Sequence, residues 1–316
     1  MVSFLGRHPQ LISMKERQMK GVKDPVYAIL SATTIQEDIQ LMTEMGVDAY
    51  RLSFAWSRIL PAHYPRPNSS DGTLKGGVNK EGIDYYNKAS LNELLASANR
   101  YRTRRHTLPL GCSSGDDFVD YANICFKEFG DRVKHWITLN EPRSFSVDGY
   151  AAGMLRVAPG RCSDWEQRNC SGGDSATEPY IVSHHQLLAH AAAVKLYRET
   201  HQPAQKGVIG ISLSTFWMKP LSDTKSDQDA AQRALDFSFG WFLDPLTNGN
   251  YPESMRSLLG SRLPKFSEKE SELLKGSMDF LGLQRWIEKI PQTLSLVVQE
   301  LSPPRHEGNL GFIKKL

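Results

Sequence analysis

Val133-Lys134-His135-Trp136-Ile137-Thr138-Leu139-Asn140-Glu141-Pro142 is the stretch on which the fold turns. The first seven residues read as a strand, and Asn140-Glu141-Pro142 ends it. Pro142 has no N–H to give to a sheet and holds the residue before it extended. Upstream, Phe118, Tyr121, Ala122, Cys125 and Phe129 recur at helical spacing until Gly130 stops the pattern. Downstream, Ser183 to Thr200 reads as a helix with Leu187, Ala191 and Val194 inward. Val208 to Leu213 then reads as a strand, apolar on both faces as a parallel sheet covered by helices requires. Helix, strand, helix, strand is the rhythm of an α/β protein. Glu141 thus stands at the C-terminal end of a parallel strand, where (β/α)8 enzymes carry their chemistry.

The same alternation extends in both directions. Glu37 to Met45 reads as a helix stopped by Gly46, and Asp48 to Phe54 as a buried strand. A loop dense in Pro, Gly, Asn and Ser follows over Pro61 to Gly77. Asn79 to Ala98 reads as a helix with Ile83, Tyr86, Leu91, Leu94 and Leu95 on its apolar face. Asp227 to Phe242 is helical, and Phe280-Leu281-Gly282-Leu283 begins another strand. Two segments break the rhythm. Ala98 to Asp116 has neither period and includes the basic run Arg100 to His106, read as a solvated loop. After Leu283 the chain runs through Gln284-Arg285-Trp286 into a basic tail.

Composition narrows the function classes. The chain has 316 residues, 40% hydrophobic and 23% charged, enough for a core that needs no staple. A net charge of +3 is too slight to argue for nucleic acid or an anionic membrane, and neither is expected as a partner. No apolar run reaches the ~18 residues of a membrane span, and Met1 to Lys20 has no apolar stretch of the signal-peptide kind. Of the four cysteines, Cys125 falls on a helix face, as a core residue would. Cys162 and Cys170 flank a loop rich in Ser, Gly and Asp, and Asn169-Cys170-Ser171 is a glycosylation sequon; Asn68-Ser69-Ser70 is another. Either the pair closes a surface loop as a disulfide made in an oxidising compartment, or it is two free thiols beside a chance sequon. The loop composition favours the first.

Several motifs together resemble a known family. Thr138-Leu139-Asn140-Glu141-Pro142 is similar to the acid/base motif of glycoside hydrolase family 1. Arg51-Leu52-Ser53-Phe54-Ala55-Trp56-Ser57-Arg58-Ile59 resembles that family's second barrel strand. Gly82-Ile83-Asp84-Tyr85-Tyr86-Asn87, Ala158-Pro159-Gly160-Arg161-Cys162 and His184-His185-Gln186-Leu187-Leu188-Ala189-His190-Ala191 resemble plant β-glucosidases of the family in order and spacing. Asp279-Phe280-Leu281-Gly282-Leu283 resembles the start of the sixth strand. The resemblance implies retaining hydrolysis of O-linked β-glucosides, small-molecule substrates, and no metal or cofactor. It implies Glu141 as general acid/base, Asn140 as a hydrogen-bond partner of the sugar 2-hydroxyl, and Arg51 beside the nucleophile. It also implies a secretory destination, extracellular or vacuolar, although no signal peptide is read at Met1.

The departures from the family pattern are equally specific. The nucleophile's Ile/Val-Thr-Glu-Asn-Gly motif does not occur, and the nucleophile is left unassigned. Neither Glu288 nor Glu300 has the Asn-Gly neighbour of that motif. Gln284-Arg285-Trp286 stands where Asn-Tyr-Tyr is expected, the third strand's His-Trp pair is missing, and Met1 to Thr34 carries no family motif. The expected architecture is therefore an incomplete TIM (β/α)8 barrel, with the first, third, seventh and eighth strands lost or unrecognisable. It divides into a non-matching segment 1–36, a partial barrel 37–283 and a divergent tail 284–316. The expected activity is that of a β-glucosidase weakened or silenced by the missing nucleophile. A non-catalytic glycoside-binding protein and an unstable truncated product are the alternatives.

Overall fold

The computed structural model describes residues 50–54, 56–60, 78–88, 94–97, 115–154, 161–166 and 170–286. Outside them lie the expected helix 37–45, the loop with Asn68, the run Arg100 to His106, Cys112, Asn169, and the tail with Glu288 and Glu300. The expected losses of the first, seventh and eighth strands also fall outside the described residues.

Among the described residues, five parallel strands form one sheet: β1 (Tyr50–Ser53), β2 (Leu94–Ser97), β3 (Val133–Asn140), β4 (Val208–Phe216) and β5 (Phe280–Trp286). Each pairs with its predecessor, in the order β1-β2-β3-β4-β5. A doubly wound sheet reverses direction at a switch point and places helices on both faces. This sheet never reverses, which is how a barrel is wound. The α-helices are α1 (Trp56–Ile59), α2 (Lys80–Lys88), α3 (Gly115–Phe129), α4 (Pro142–Tyr150), α5 (Glu178–Leu196) and α6 (Gln202–Gln205). They continue with α7 (Lys225–Leu235), α8 (Trp241–Asn248), α9 (Glu253–Leu259) and α10 (Glu268–Leu274).

One reading is corrected here. The helix expected over Asn79 to Ala98 ends at Lys88, and Leu94–Ser97 is a strand instead. That strand fills the slot between β1 and β3 in which the third strand was read as lost. Leu94 and Leu95 suit either period; pairing with a neighbour on each side satisfies the backbone of Leu94 to Ser97, which spacing alone does not reveal. The sixth-strand segment continues through Gln284, Arg285 and Trp286, which pair with Ser214, Thr215 and Phe216.

The core lies between the sheet and the helices. Trp136 of β3 and Ile209, Ile211 and Leu213 of β4 are buried in one cluster with Phe126, Leu187, Tyr197 and Trp241. Trp136 meets Phe126 edge-on at 4.9 Å, so it is a core residue. Cys125 is fully buried as its helix position predicted, and burial pushes its thiol up to about 12. Phe54 stacks on Phe129 at 4.5 Å, and Tyr121 Oη donates to the Phe54 carbonyl at 2.9 Å, fastening the end of β1 to α3. At the opposite end of the sheet, Asp279 receives Arg198, Gln202 and the Ile209 N–H, while its own N–H donates to the Ile209 carbonyl. This clamp fixes how β5 enters beside β4.

Backbone contact sets the β4–β5 spacing. A Cβ at Gly210 would lie 2.1 Å from the Phe280 carbonyl oxygen, closer than any real contact. Backbone cannot swing aside as a long side chain can. Gly210→Ala should therefore destabilise the protein by about 3 kcal/mol, at the upper end of overpacking costs, read as a lowered denaturation midpoint.

Two buried histidines tie α5 to its surroundings. Thr138 Oγ1 lies 2.5 Å from His190 Nδ1 and donates to the Gly210 carbonyl at 3.2 Å, joining β3, α5 and β4. His184 Nδ1 lies 3.0 Å from Tyr251 Oη, and its ring stacks on Phe266 at 4.4 Å. Burial holds His190 down at about 4, opposed by the Ser277 carbonyl and aided by Arg198. Burial also holds His184 at about 4, aided by His185 and opposed by Glu270. Both are neutral in the folded chain, whereas the unfolded chain takes up protons below its ordinary value of 6.5. Their contribution is complete above pH 6.5 and drains away as the pH falls to about 4. His190 alone should account for about 3 kcal/mol of that loss. Urea unfolding at pH 7, 5.5 and 4.5 should show the decline, and His190→Gln should flatten it.

Candidate active site

The β3–β4 seam builds the site. Ile137 pairs with Gly210, but the next partners are Asn140 and Ser212, so β3 advances three residues while β4 advances two. This is a β-bulge, and a bulge moves every later side chain to the other face of the sheet. Trp136 pairs with Ile209 on the helix-covered face, and Thr138 reaches His190 on that face too. Regular alternation would send Asn140 the same way. The extra residue instead sets Asn140 beside Ser212, on the face that Gly210 shares and the helices do not cover. Ser212 and the facing Gly282 keep that face small at this level.

Glu141 follows the bulge in the left-handed region, at φ 50° and ψ 54°, not in the extended conformation expected of a residue before proline. An L-residue other than Gly or Asn held there costs about 1–2 kcal/mol, so surrounding contacts must impose the geometry. Its N–H donates to the Ser212 carbonyl at 2.8 Å, and its own carbonyl accepts from the Phe145 N–H at 3.2 Å. Pro142 is the first residue of α4, where its fixed φ and missing N–H cost the helix nothing. The strand thus ends and the helix begins at the one residue that carries the carboxyl. That carboxyl is half-buried, and Oε2 accepts from Ser144 Oγ at 3.3 Å.

Buried polar groups hold α4 against α5. Ser146 Oγ lies 2.9 Å from Gln186 Oε1 and 3.1 Å from the Pro142 carbonyl, and it accepts from Ser183 Oγ at 2.8 Å. All three side chains are buried, so they act as a fixed strut beneath the residue that follows Glu141. Arg143 Nε donates to the Phe237 carbonyl at 3.2 Å, tying the first turn of α4 to the π-helical segment Asp236–Gly240. Sequence reasoning passed over Ser144 and Ser146, and took Arg143 only as a departure from the family pattern. Their one signal was proximity to Glu141, because nothing in the sequence aims Ser183 and Gln186 back at them.

The far end of α4 is held by the cysteine loop. Cys162 and Cys170 form a disulfide with Cα atoms 5.2 Å apart, and Cys162 is buried. Ser163 and Ser175 exchange backbone-to-side-chain hydrogen bonds at 2.8 and 2.9 Å, and Ser175 Oγ donates to the Ala151 carbonyl just beyond α4 at 2.7 Å. Arg161 grips the buried carboxylate of Glu178, at the start of α5, with Nε at 2.7 Å and a second nitrogen on the other oxygen. A paired carboxylate there also suits the positive end of the helix.

Of the expected site residues, Asn140 and Glu141 come together at the end of β3. Arg51 falls in β1 opposite Leu95 of β2, two strands from β3. Asn68 and Asn169 lie outside the described residues, so the two sequons are not placed.

Comparison with known proteins agrees with this architecture. The model for glycosyl hydrolase family 1 matches residues 11–103 and 112–308. The match reaches into both end segments, where the sequence analysis found no family motif, and it skips 104–111 inside the break at 98–116. The chain is 54% identical over 260 residues to a cyanogenic β-glucosidase of Trifolium repens, covering 78% of this chain and 58% of that protein. It is 49% identical over 293 residues to β-glucosidase 12 of Oryza sativa subsp. indica, covering 89% of this chain and 54% of that protein. The chain thus spans little more than half the length of these relatives. Among solved structures, a rice β-glucosidase superposes with a TM-score of 0.70 at 40% identity, over 83% of this chain and 56% of that one. A family 1 β-glucosidase of Humicola insolens in complex with glucose superposes with a TM-score of 0.71 at 37% identity, over 81% of this chain and 54% of that one. The successive parallel β/α units are those of a TIM barrel, and the chain belongs to glycosyl hydrolase family 1.

Proposed function

We propose that these residues supply the acid/base half of a retaining β-glucosidase site. Glu141 gives a proton to the glycosidic oxygen as the aglycone departs, and takes one back from water in the second step. Asn140, turned by the bulge to the face that a barrel encloses, binds the sugar 2-hydroxyl. Arg51 stands next to the nucleophile position, where a fixed positive charge favours an ionised carboxylate. The observation that carries this reading is Glu141 itself: a strained residue at a strand's C-terminal end, bonded to the adjacent strand. The substrate class follows the relatives, whose names are those of β-glucosidases, one of them cyanogenic. The disulfide fits passage through an oxidising, secretory compartment.

A retaining enzyme needs a second carboxylate ~5–5.5 Å from the first. No segment of the 316 residues carries the family's nucleophile motif. We therefore infer that this polypeptide, taken by itself, turns over slowly or binds glycosides without cleaving them. The same missing motif favours the second reading, a glycoside-binding protein without catalysis.

The purified chain should hydrolyse 4-nitrophenyl β-glucoside at no more than a trace of the rate of a complete relative. Glu141→Gln should cut that residual rate by about 10²- to 10⁴-fold, the usual size of an acid/base contribution. Residual hydrolysis indifferent to Glu141→Gln would remove its assigned role. Turnover within about tenfold of the relative, lost in Glu141→Gln, would keep the role and overturn the weak activity. Saturable binding of glucosides without any hydrolysis would establish the second reading.

A further inference from the structure

The two carboxyl oxygens of Glu141 are not equivalent. Ser144 lies in the first turn of α4, and its hydroxyl donates to Oε2 at 3.3 Å. No described residue holds Oε1. Such contacts in ligand-free sites are often long and shorten when substrate arrives. Both partners are half-buried, so water competes for the contact less than it would on an open surface. Ser144 is itself placed by rigid neighbours. Arg143 before it is tied to the Phe237 carbonyl, and Ser146 after it belongs to the buried strut on α5. With α4 pinned on either side of Ser144 and the Glu141 backbone pinned to Ser212, the hydroxyl cannot follow the carboxyl if it rotates.

We propose that Ser144 is a positioning residue for the acid/base: it holds Oε2 and thereby assigns Oε1 as the oxygen that exchanges the proton with substrate. The inference rests on the acid/base reading of Glu141. In the glycosylation step the O–H bond at Oε1 breaks and its electron pair stays on the carboxyl. The proton bonds to the glycosidic oxygen, which takes the pair of the breaking C–O bond, while the anomeric carbon bonds to a second carboxylate acting as nucleophile, which is not assigned in this chain. The carboxylate left behind keeps its Ser144 hydrogen bond at Oε2. In the second step Oε1 takes a proton from the attacking water. A hydroxyl on Oε2 serves both steps, since a carboxyl protonated on Oε1 and a carboxylate can each accept there.

Ser144→Thr and Ser144→Val form the test, because they match in shape and only the first keeps a hydroxyl. The Glu141 rotamer is measured by three-bond couplings in the full chain, with labelled glutamate in a deuterated background. The parent and the Thr variant should each give the coupling of a single χ1 rotamer, and the Val variant an averaged one. A Val variant with the parent coupling would overturn the proposal. Kinetics give the second readout. Ser144→Val should slow an alkyl glucoside, whose leaving group needs the proton, by about tenfold at unchanged KM. It should leave a dinitrophenyl glucoside within about twofold of the parent. Equal slowing of both would mark a merely structural role and overturn the assignment. Should no variant cleave any glucoside, the activity reading falls, and the rotamer measurement alone decides the place of Ser144.

Discussion

The hydrogen bond from the Glu141 N–H to the Ser212 carbonyl is the joint on which the site depends. It lies just past a bulge that shifts β3 by one residue against β4. Below the bulge, Trp136 and Thr138 belong to the helix-covered core; above it, Asn140 belongs to the opposite face. One inserted residue thus changes the destination of every side chain beyond it. The left-handed backbone at Glu141 is the cost of that change, confined to a single residue because Pro142 starts a helix at once.

What keeps the strained residue in place is a frame with α5 at its centre. This helix is buried on nearly every side, against the sheet, α3, α4 and α10. Its polar side chains face specific partners: Gln186 and Ser183 toward α4, His190 toward Thr138, and His184 toward Tyr251. Glu178 at its start receives Arg161 from the disulfide loop, which also reaches the end of α4 through Ser175. Polar groups satisfied in this way give one arrangement an advantage over its neighbours, because a shifted helix would leave them buried without partners. The histidines in the frame are neutral, so the frame is strongest at neutral pH.

Barrel enzymes separate these duties in space. Contacts at the N-terminal end of the strands serve stability, and those at the C-terminal end serve chemistry. The Asp279 clamp, with Arg198 and Gln202, lies where β5 enters the sheet. Asn140, Glu141 and Ser144 lie where β3 leaves it. Membership of glycosyl hydrolase family 1 gives those end-of-strand residues their meaning, since a barrel by itself implies no reaction.

The sequence by itself determined the β/α alternation, the burial of Cys125, and the place of Glu141 at a strand end. Those follow from local periodicity and from Pro142, which act within a few residues along the chain. It also pointed to the Cys162–Cys170 pair, because two cysteines in a short polar loop have few other partners. It misread Leu94 to Ser97 as helix, since short apolar runs fit either period and only sheet pairing decides between them. The bulge, the face to which Asn140 turns, and the contacts of Ser144 with Glu141 and of Ser146 with Gln186 were decided by tertiary structure alone. Each depends on how one element lies against another, and no spacing within a single element records that.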